Sequence, residues 1–523
     1  MKTRQAPPVP TLTGSRAAQR YLYFTAAVTG AAIMVVEILG AKMLAPYVGT
    51  SHFVWTAQIA VTLVALAAGY YAGGWLVDRT ARLGILYGCI LAAAVYLCLT
   101  ALVVEPIAYS CLRFNLALGS LAASTFLFFV PLALLAMVGP FAIRILTHSL
   151  TGVGGSVGRL TAISTLGSFL GTALIGYVLI PFFPNSVNLL LTAGCLMALA
   201  VAYFLVWGRA GSLGPLVLVA ILAGAGMGVG GVASDTHRRF QFSEELFRGN
   251  SNFGMLQVID TMNGRKRLYL NDYLTQDTYD TFEKKSHSLF TYMLHGLARA
   301  YTHEARDILC IGLGVGLVPM EFAREGARVD VVEINPAVVP VAARYFGLEP
   351  ERLKISIGDG RYFINRSATQ YDAVVLDAFL GDACPSHLMT REAFQGMRRI
   401  LRPEGVLVIN TFGRLSAGED FFTSSLEQTL RAAFTSVRIH SSGNGNIFFV
   451  ASSRPELKPY QPPNFDLVHD SCRTMAQEAY ESKYSTDPSH GRILTDDYNP
   501  VDFYDAANRE GWRRQMALSM QDL

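Results

Sequence analysis

The stretch DILCIGLGVGL, Asp307–Leu317, decides the fold, because it reads as a short buried strand that breaks into a glycine-rich loop. The apolar run 307–311 is bounded by turn residues and has the length of a strand rather than of a helix. Gly312, Gly314 and Gly316 follow it. Glycines placed after a strand let a ligand approach the backbone closely at the start of the next helix. This pattern predicts the first unit of a nucleotide-binding α/β sheet.

Acidic residues follow the ends of the next three predicted strands: RVDVVEIN ends with Glu333, LKISIGDGRYF reaches Asp359 and Gly360, and YDAVVLDAF ends with Asp377. Ligands of open α/β sheets bind beyond the carboxyl ends of the strands, so we expect these side chains at one edge. Glu333 lies 21 residues after Gly312, where an acid can accept both ribose hydroxyls. A dinucleotide would fit both features equally well. Asp359, which can accept from an adenine amino group, favours an adenosylmethionine-type ligand.

Strands and helices alternate through the C-terminal half, which predicts a parallel sheet. GVLVINTF supplies a fifth strand, and FTSVRIHS with NIFFVASS would close the sheet in antiparallel pairing. Upstream, the runs Gly254–Asn263 and Arg267–Gln276 meet at an Asn-Gly turn, which predicts a β-hairpin before a helix over 286–301. We therefore predict a hairpin subdomain over 235–285 and a Rossmann-like α/β domain over 286–523.

The N-terminal half has a different composition. Residues 1–234 contain 11 Lys and Arg but only three acidic residues. Seven apolar segments have the length that a transmembrane helix needs, at about 22–41, 53–77, 84–104, 115–138, 160–182, 187–207 and 214–233. This pattern predicts an all-α membrane bundle over 21–234 after a disordered tail over 1–20, with the lipid bilayer as its partner.

Two features inside the predicted bundle concern packing and charge. Gly167, Ser168, Gly171 and Gly176 are small residues at close spacing, which favours close helix packing in lipid. Glu37 lies in the first segment. A carboxylate there is either functional or a buried partner of a backbone or hydroxyl group, and the sequence favours neither.

The positive charges of the connecting segments give a conflict in topology. Nine Lys or Arg lie on the side of the N-terminus and four on the other, which places the N-terminus inside. Seven spans would then place the C-terminal domain outside, where adenosylmethionine is not normally supplied. An incomplete crossing, or re-entry of residues 138–150, would remove the conflict. On cosubstrate grounds we expect a cytoplasmic enzyme domain.

Composition also excludes some partners and ligands. No clustered basic face is evident, so nucleic acid is not an expected partner. The seven cysteines form no CxxC pair, so we expect neither a disulfide framework nor a metal site.

Residues 250–415 resemble the spermidine synthases, specifically the bacterial forms fused to a membrane domain. In this resemblance RLYLNDYLTQ ends with Gln276, which would lie along the nucleoside, and SHS keeps His287 of a Tyr-His-Glu motif. IGLGVG, VVEINP and IGDGRYF occupy the family's nucleotide-binding positions. VLDAFLGDACPSHLMTREAF occupies its catalytic loop, with Asp377 as the general base. ILGAKMLAPYVGTSHFVWT, GYYAGGWLVDR and LTDDYNPVD also look like the fused forms, which implies a bacterial inner-membrane protein.

The chain departs from the family at the amine end of the site. Val315 replaces an Asp that contacts the aminopropyl group, and Ser286 and Ser288 replace the Tyr and Glu of the motif. The second Asp of the catalytic loop is displaced, with Asp382 as the nearest candidate. Nucleotide binding is therefore better supported than spermidine synthesis.

The resemblance implies a membrane-bound transferase that uses S-adenosylmethionine or its decarboxylated form, without a metal. An aminopropyl-type transfer to a small-molecule amine is the first hypothesis. In it Asp377 takes the amine proton, and Asp382, Asp496 and Asp497 form an acidic mouth for a cationic acceptor. Methyl transfer, aminocarboxypropyl transfer and cleavage of the cosubstrate are alternatives. A transporter with a nucleoside-sensing domain is a further alternative, and a homo-oligomer stays open.

Overall fold

The structure is a computed structural model of the 523-residue chain. It describes residues 16–49, 52–147, 153–208, 213–235, 243–261, 264–379, 384–443 and 445–501, together with Gly511 and Arg513. The chain divides into two compact units, Met1–Arg239 and Phe240–Leu523. Each unit is described by itself.

The first unit is helical. Its helices are α1 (Arg16–Val48), α2 (His52–Arg79), α3 (Leu83–Cys111), α4 (Leu116–Ser124), α5 (Val130–Ala136), α6 (Val138–Leu146), α7 (Val153–Leu174), α8 (Ile180–Phe182), α9 (Asn185–Trp207) and α10 (Leu213–Asp235). Five-residue π-helical turns join α4 to α5 and α7 to α8. The chain therefore stays helical through each junction.

Six helices of the described residues are long and apolar enough to cross a membrane: Arg16–Val48, Phe53–Arg79, Leu83–Cys111, Leu116–Leu146, Val153–Phe182 and Asn185–Trp207. These six helices agree with six of the seven predicted spans. The seventh predicted segment lies in α10, a 23-residue helix of which the described side chains cover only Leu218–Val232, so the seventh span stays a prediction. Residues 138–146, considered for re-entry, form the end of the fourth candidate helix.

The small residues of α7 pack against α1, as the sequence predicts. A Cβ atom added at Gly167 or Gly171 would lie 2.1 or 2.6 Å from a backbone oxygen of α1, at Ala27 or Ala31. The Ser168 hydroxyl donates to the carbonyl of Gly30. A Cβ at Gly176 would meet open space, so that glycine has no such role.

The second unit begins with a five-stranded antiparallel sheet. Its strands are β1 (Ser243–Ser251), β2 (Gly254–Thr261), β3 (Lys266–Asn271), β4 (Leu274–Asp280) and β5 (Lys285–Ser286), paired in chain order. The predicted hairpin is present as β2 and β3, but its second run is wrong, because Asp272 and Tyr273 have positive φ angles of 47° and 63° and turn the chain into β4.

A seven-stranded sheet follows, in the order β11-β12-β10-β9-β6-β7-β8. Its strands are β6 (Asp307–Ile311), β7 (Arg328–Glu333), β8 (Lys354–Ile357), β9 (Tyr371–Leu376), β10 (Leu401–Gly413), β11 (Ser436–Ser441) and β12 (Gly445–Ser452). The first five run parallel, and β11 and β12 close the sheet antiparallel. This confirms the predicted α/β class and its antiparallel closure.

Helices cover both faces of this sheet. They are α11 (Leu289–Tyr301), α12 (Leu317–Arg324), α13 (Val338–Phe346), α14 (Gly360–Arg366), α15 (Arg391–Arg399), α16 (Phe421–Arg431) and α17 (Asp470–Glu481). Successive β6 residues belong to different cores: Ile308 and Cys310 to one cluster, Leu309 and Ile311 to the other. Two-sided burial explains why these strands read as continuous apolar runs.

Candidate active site

The glycine loop connects β6 to α12 through three residues with positive φ angles. Gly312, Gly314 and Gly316 have φ values of 97°, 54° and 85°, which favour glycine. A Cβ at Gly312 would lie 2.2 Å from the carbonyl oxygen of Asp377, so the end of β9 also requires a glycine there. Gly314 lines a cavity of this unit, whereas Gly316 caps α12 and packs against Leu348.

Glu333 lies at the end of β7 and holds the glycine loop. Its Oε2 accepts the Leu313 amide hydrogen at 3.0 Å, and its Oε1 accepts that of Asn335 at 2.7 Å. Burial raises the pKa of Glu333, and these hydrogen bonds oppose that rise. Each carboxylate oxygen has a second lone pair, so both remain able to accept a hydroxyl from a ligand in the cavity.

Asp359 lies after β8 and caps α14. Its Oδ1 accepts the Tyr362 amide hydrogen at 2.9 Å, and its Oδ2 lies 2.9 Å from Nε2 of His387. Burial acts to raise the pKa of Asp359, but these two partners lower it below its usual range. The carboxylate is therefore ionised at neutral pH. His387 also lines the cavity, and the sequence analysis missed it.

Asp377 directly follows β9 and is half-buried. Its Oδ1 accepts from Nδ2 of Asn410 at 2.9 Å, and the Oδ1 of Asn410 accepts from Nδ2 of Asn446 at 3.0 Å. Burial raises the pKa of Asp377 to about 6, against the Asn410 hydrogen bond. Asn410 is a polar residue in the apolar strand GVLVINTF, a signal that the sequence analysis did not use.

Asp277 is a second carboxylate in the same cavity, and the sequence analysis missed it too. Its Oδ1 accepts the Ser286 hydroxyl at 3.1 Å and the Thr278 amide hydrogen at 2.7 Å. Burial raises the pKa of Asp277 to about 7, hydrogen bonds from Ser288, Thr278 and Ser286 oppose the rise, and the charge of Asp377 adds to it. The two serines that replace the family's Tyr and Glu thus both hydrogen-bond this carboxylate.

One cavity at the carboxyl ends of the strands brings most of the predicted residues together. Its polar and glycine lining includes Gln276, Asp277, Gly312, Gly314, Glu333, Asp359, Gly360, Asp377, His387 and Asn410. Val315, with 2% of its surface exposed, lies among them where the resemblance expects an Asp. The cavity therefore contains four carboxylates beside a glycine loop.

Besides Gly316, four predicted residues are placed elsewhere or lie outside the described residues. In the part of the chain that the structure describes, His287 does not line this cavity, and its Nδ1 lies 3.2 Å from the Ser471 hydroxyl. Asp496 pairs with Arg361 at 2.9 Å, and Asp497 is exposed to solvent. Asp382 lies outside the described residues. Among the described residues, Asp496 and Asp497 do not line the cavity, so they do not form the predicted acidic mouth.

The chain is similar to several known proteins. Residues 288–442 match the family model described as the spermine/spermidine synthase domain. A polyamine aminopropyltransferase of Vibrio vulnificus is 32% identical over 206 residues, which cover 37% of this chain and 68% of that protein. An N-terminal histidine N-methyltransferase of Emericella nidulans is 34% identical over 170 residues, 32% of this chain and 28% of that protein.

Among solved structures, the spermidine synthase of Thermotoga maritima is similar, at 18% identity and a TM-score of 0.36. The match covers 47% of this chain and 82% of that one. Fold and site together define an α/β domain whose cavity places four carboxylates beside a glycine loop. The chain belongs to the spermine/spermidine synthase family, and it is a spermidine synthase-like transferase.

Proposed function

We propose that this protein is a membrane-attached transferase that moves an alkyl group from an adenosylmethionine-type sulfonium to an amine. Residues 286–523 are the catalytic domain in this proposal. The single observation that carries it is the cavity in which the glycine loop, Glu333 and Asp359 meet the carboxylates Asp277 and Asp377.

The adenosine end of the cosubstrate occupies the side of the glycine loop. Glu333 accepts the ribose hydroxyls with its two remaining lone pairs, and Asp359 accepts from the adenine amino group. Gln276 lies along the nucleoside, as the resemblance implies. The hydrogen bonds that already hold both carboxylates fix their positions before the ligand arrives, which reduces the loss of entropy on binding.

The amine end lies at Asp277 and Asp377. A free alkyl amine has a pKa of about 10.4, so it arrives as an ammonium and must lose a proton before it attacks. Asp377, with a pKa of about 6, is ionised at neutral pH and takes that proton. The amine nitrogen then bonds to the carbon next to the sulfonium, and the carbon–sulfur bond breaks to leave a neutral thioether nucleoside. Asp277, with a pKa of about 7, supplies a second negative charge for the cation when it is ionised.

The membrane attachment is proposed from the first unit, with residues 21–234 as the membrane domain and residues 235–285 as a small β subdomain that joins it to the catalytic domain. Large apolar side chains such as Leu63, Tyr71 and Phe169 are exposed on its helices, an arrangement that lipid favours and water does not. We propose six crossings, which would return the chain to the side on which it started and give a cytoplasmic catalytic domain on the side of the basic N-terminal connections. A crossing by α10 would bring back the conflict in topology.

Product analysis tests the proposal. The full-length protein in detergent is incubated with a linear diamine and either cosubstrate, and the nucleoside products are separated by mass spectrometry. Aminopropyl transfer gives methylthioadenosine and a lengthened amine from the decarboxylated form. If folded protein forms no nucleoside product from either cosubstrate with any amine tested, the proposal is wrong.

Methyl transfer is the second candidate, and Val315 favours it. An apolar residue at that position cannot pair with the ammonium of an aminopropyl group, and one relative is named as an N-methyltransferase. This reaction would consume adenosylmethionine and release adenosylhomocysteine, so the same product analysis separates the two candidates. A Val315→Asp variant that gains use of the decarboxylated form would support the second candidate for the native chain.

A further inference from the structure

A cluster of two histidines and one aspartate lies outside the active-site cavity. Asp280 ends β4, His287 follows β5, and His469 precedes α17. One ligand atom from each residue lies within 4.8 Å of the other two. The Nε2 atoms of His287 and His469 are each 3.8 Å from the Oδ2 of Asp280.

Both imidazole rings are oriented by one hydroxyl. The Ser471 Oγ lies 3.2 Å from Nδ1 of His287 and 2.8 Å from Nδ1 of His469, so both Nε2 atoms turn towards Asp280. His469 is 93% buried, and among the described residues its Nε2 has no hydrogen-bond partner. A buried ring nitrogen that faces a carboxylate but makes no hydrogen bond is unsatisfied, and a bound metal ion would satisfy it.

The carboxylate is fixed and charged. Asp280 is fully buried, its Oδ1 accepts the amide hydrogens of Phe282 and Glu283, and its Oδ2 accepts from Arg265. These bonds favour the ionised form. The Oε2 of Glu283 lies 3.7 Å from Nε2 of His469 and offers a fourth donor.

We propose that Asp280, His287 and His469 bind a divalent first-row transition metal, with zinc as the best fit and Glu283 as the fourth ligand. Imidazole nitrogen and carboxylate oxygen bind zinc at about 2.0–2.2 Å in a tetrahedron, which sets neighbouring donors about 3.4 Å apart. The observed 3.8 Å separations need to contract by only a few tenths of an ångström.

Binding selects one ring tautomer. Each ligating Nε2 must present its lone pair, so each Nδ1 carries the proton and donates it to the Ser471 hydroxyl oxygen, which is the arrangement of partners that metal-bound histidines usually have. For His469 this replaces the bond that its Nδ1 accepts from the Ser471 amide at 3.1 Å. Arg265 opposes a cation by charge, and its salt bridges to Asp280 and Glu283 use oxygens that also face the site.

The cation would tie the turn between β4 and β5 to α17. Ser286, which donates to Asp277 in the active-site cavity, immediately precedes His287. The metal is thus structural, and it stiffens the wall that carries Asp277 without entering the reaction. Asp280, Glu283 and His287 lie in one short stretch, but His469 comes from a distant segment, so the spacing in the sequence does not predict the site.

Metal analysis of the full-length protein tests this site. The detergent-solubilised chain is stripped with a chelator, titrated with zinc or cobalt(II), and assayed for stoichiometry and for cobalt d–d absorption. We expect one cation per chain and a higher unfolding temperature when it is bound. His469→Gln is expected to lose the cation, and His295→Gln, which removes a histidine paired with Glu325 elsewhere, is the matched control that keeps it.

Two results would overturn the proposal. One is a stripped wild-type chain that takes up no zinc or cobalt(II) beyond the level of His469→Gln while its unfolding temperature shows that it is folded. The other is a double variant, His287→Gln with His469→Gln and with Ser286 unchanged, that retains the cation as well as wild type does. Either result would leave the two histidines as hydrogen-bonding side chains around Asp280.

Discussion

The side of the cavity that we propose for adenosine (the adenosine side: the glycine loop, Glu333 and Asp359) differs from the side that we propose for the amine (the amine side: Asp277 and Asp377) in what holds each carboxylate. Glu333 and Asp359 both accept backbone amide hydrogens of the segments that follow their strands, so the fold itself places them. Asp377 depends on the Asn410 side chain, and Asp277 depends in part on Ser286 and Ser288. A carboxylate that backbone amides hold keeps its position as long as the fold is kept. A carboxylate that side chains hold can be changed by substitutions within the same fold.

The same comparison explains the departures from the family. Val315, Ser286 and Ser288 all concern the amine side, and the three glycines of the loop and the strand-end acids are intact. Ser286 and Ser288 hydrogen-bond Asp277, so the altered motif builds a different carboxylate site rather than none. We therefore expect substitutions on the amine side to change rate and substrate choice, and substitutions on the adenosine side to change cosubstrate affinity.

The largest effect is expected at Asp377. Asp377→Asn keeps the size of the side chain but removes the base, so kcat should fall by about 10²- to 10⁴-fold with little change in cosubstrate Kd. Steady-state kinetics and calorimetry on one preparation measure both quantities. Asp377→Glu is the matched variant and should retain more activity than Asp377→Asn. A kcat within about twofold of wild type would exclude Asp377 as the base.

The next largest effect is expected at Glu333. Glu333→Gln removes the charge that strengthens its bonds to ribose, worth about 1.5–3 kcal/mol, so the cosubstrate Kd should rise by about 10- to 100-fold. Asp330→Asn is the control, because Asp330 lies on the same strand but pairs with Tyr371 and Lys354. Equal affinity of Glu333→Gln and wild type would show that the ligand does not reach this edge.

The pH dependence of kcat/KM should report the amine side. Asp377 must be ionised to act, and its pKa is about 6, so activity should fall about tenfold for each pH unit below that value. Asp277, with a pKa of about 7, titrates together with it, and the wild-type limb should extend over both steps. In Asp277→Asn the upper step should disappear. If the acidic limb of the pH profile has the same position and shape in this variant as in wild type, Asp277 does not take part in the reaction.

The smallest effect is expected at His387. This residue is about half exposed and pairs with Asp359, so its loss should cost no more than about 1 kcal/mol, or about fivefold in cosubstrate Kd. Because the pairing lowers the pKa of Asp359, the loss of affinity in His387→Ala should grow as the pH falls. Titrations at two pH values measure this, and a loss that is the same at both would contradict the pairing.

The sequence predicts the adenosine side because its signals are local. Gly312, Glu333 and Asp359 each follow an apolar strand directly, and parallel strands bring such ends to one edge whatever the details of packing. The antiparallel closing strands were predicted from the same kind of local pattern. The turn at Asp272 and Tyr273 was missed because residues other than glycine adopt positive φ angles there, without a typical turn signal.

The features that the sequence does not predict depend on contacts between distant residues. Asp277 matters because Ser286 and Asp377 lie beside it, and nothing in its own segment marks it as buried. His287 looks like a cofactor ligand in the sequence, but Ser471 holds its ring away from the cavity. Asp496 looks free until Arg361, 135 residues away, pairs with it. Such pairings follow only from tertiary structure.

Calorimetry on the folded, detergent-solubilised full-length chain tests the central claim most directly, with adenosylmethionine, its decarboxylated form and methylthioadenosine as ligands. We predict that wild type and Asp377→Asn bind at least one of them with similar Kd, and that Glu333→Gln binds the same ligand more weakly. No affinity of the folded wild-type chain for any of the three, or an equal loss in both variants, would contradict a nucleoside site at this edge of the sheet.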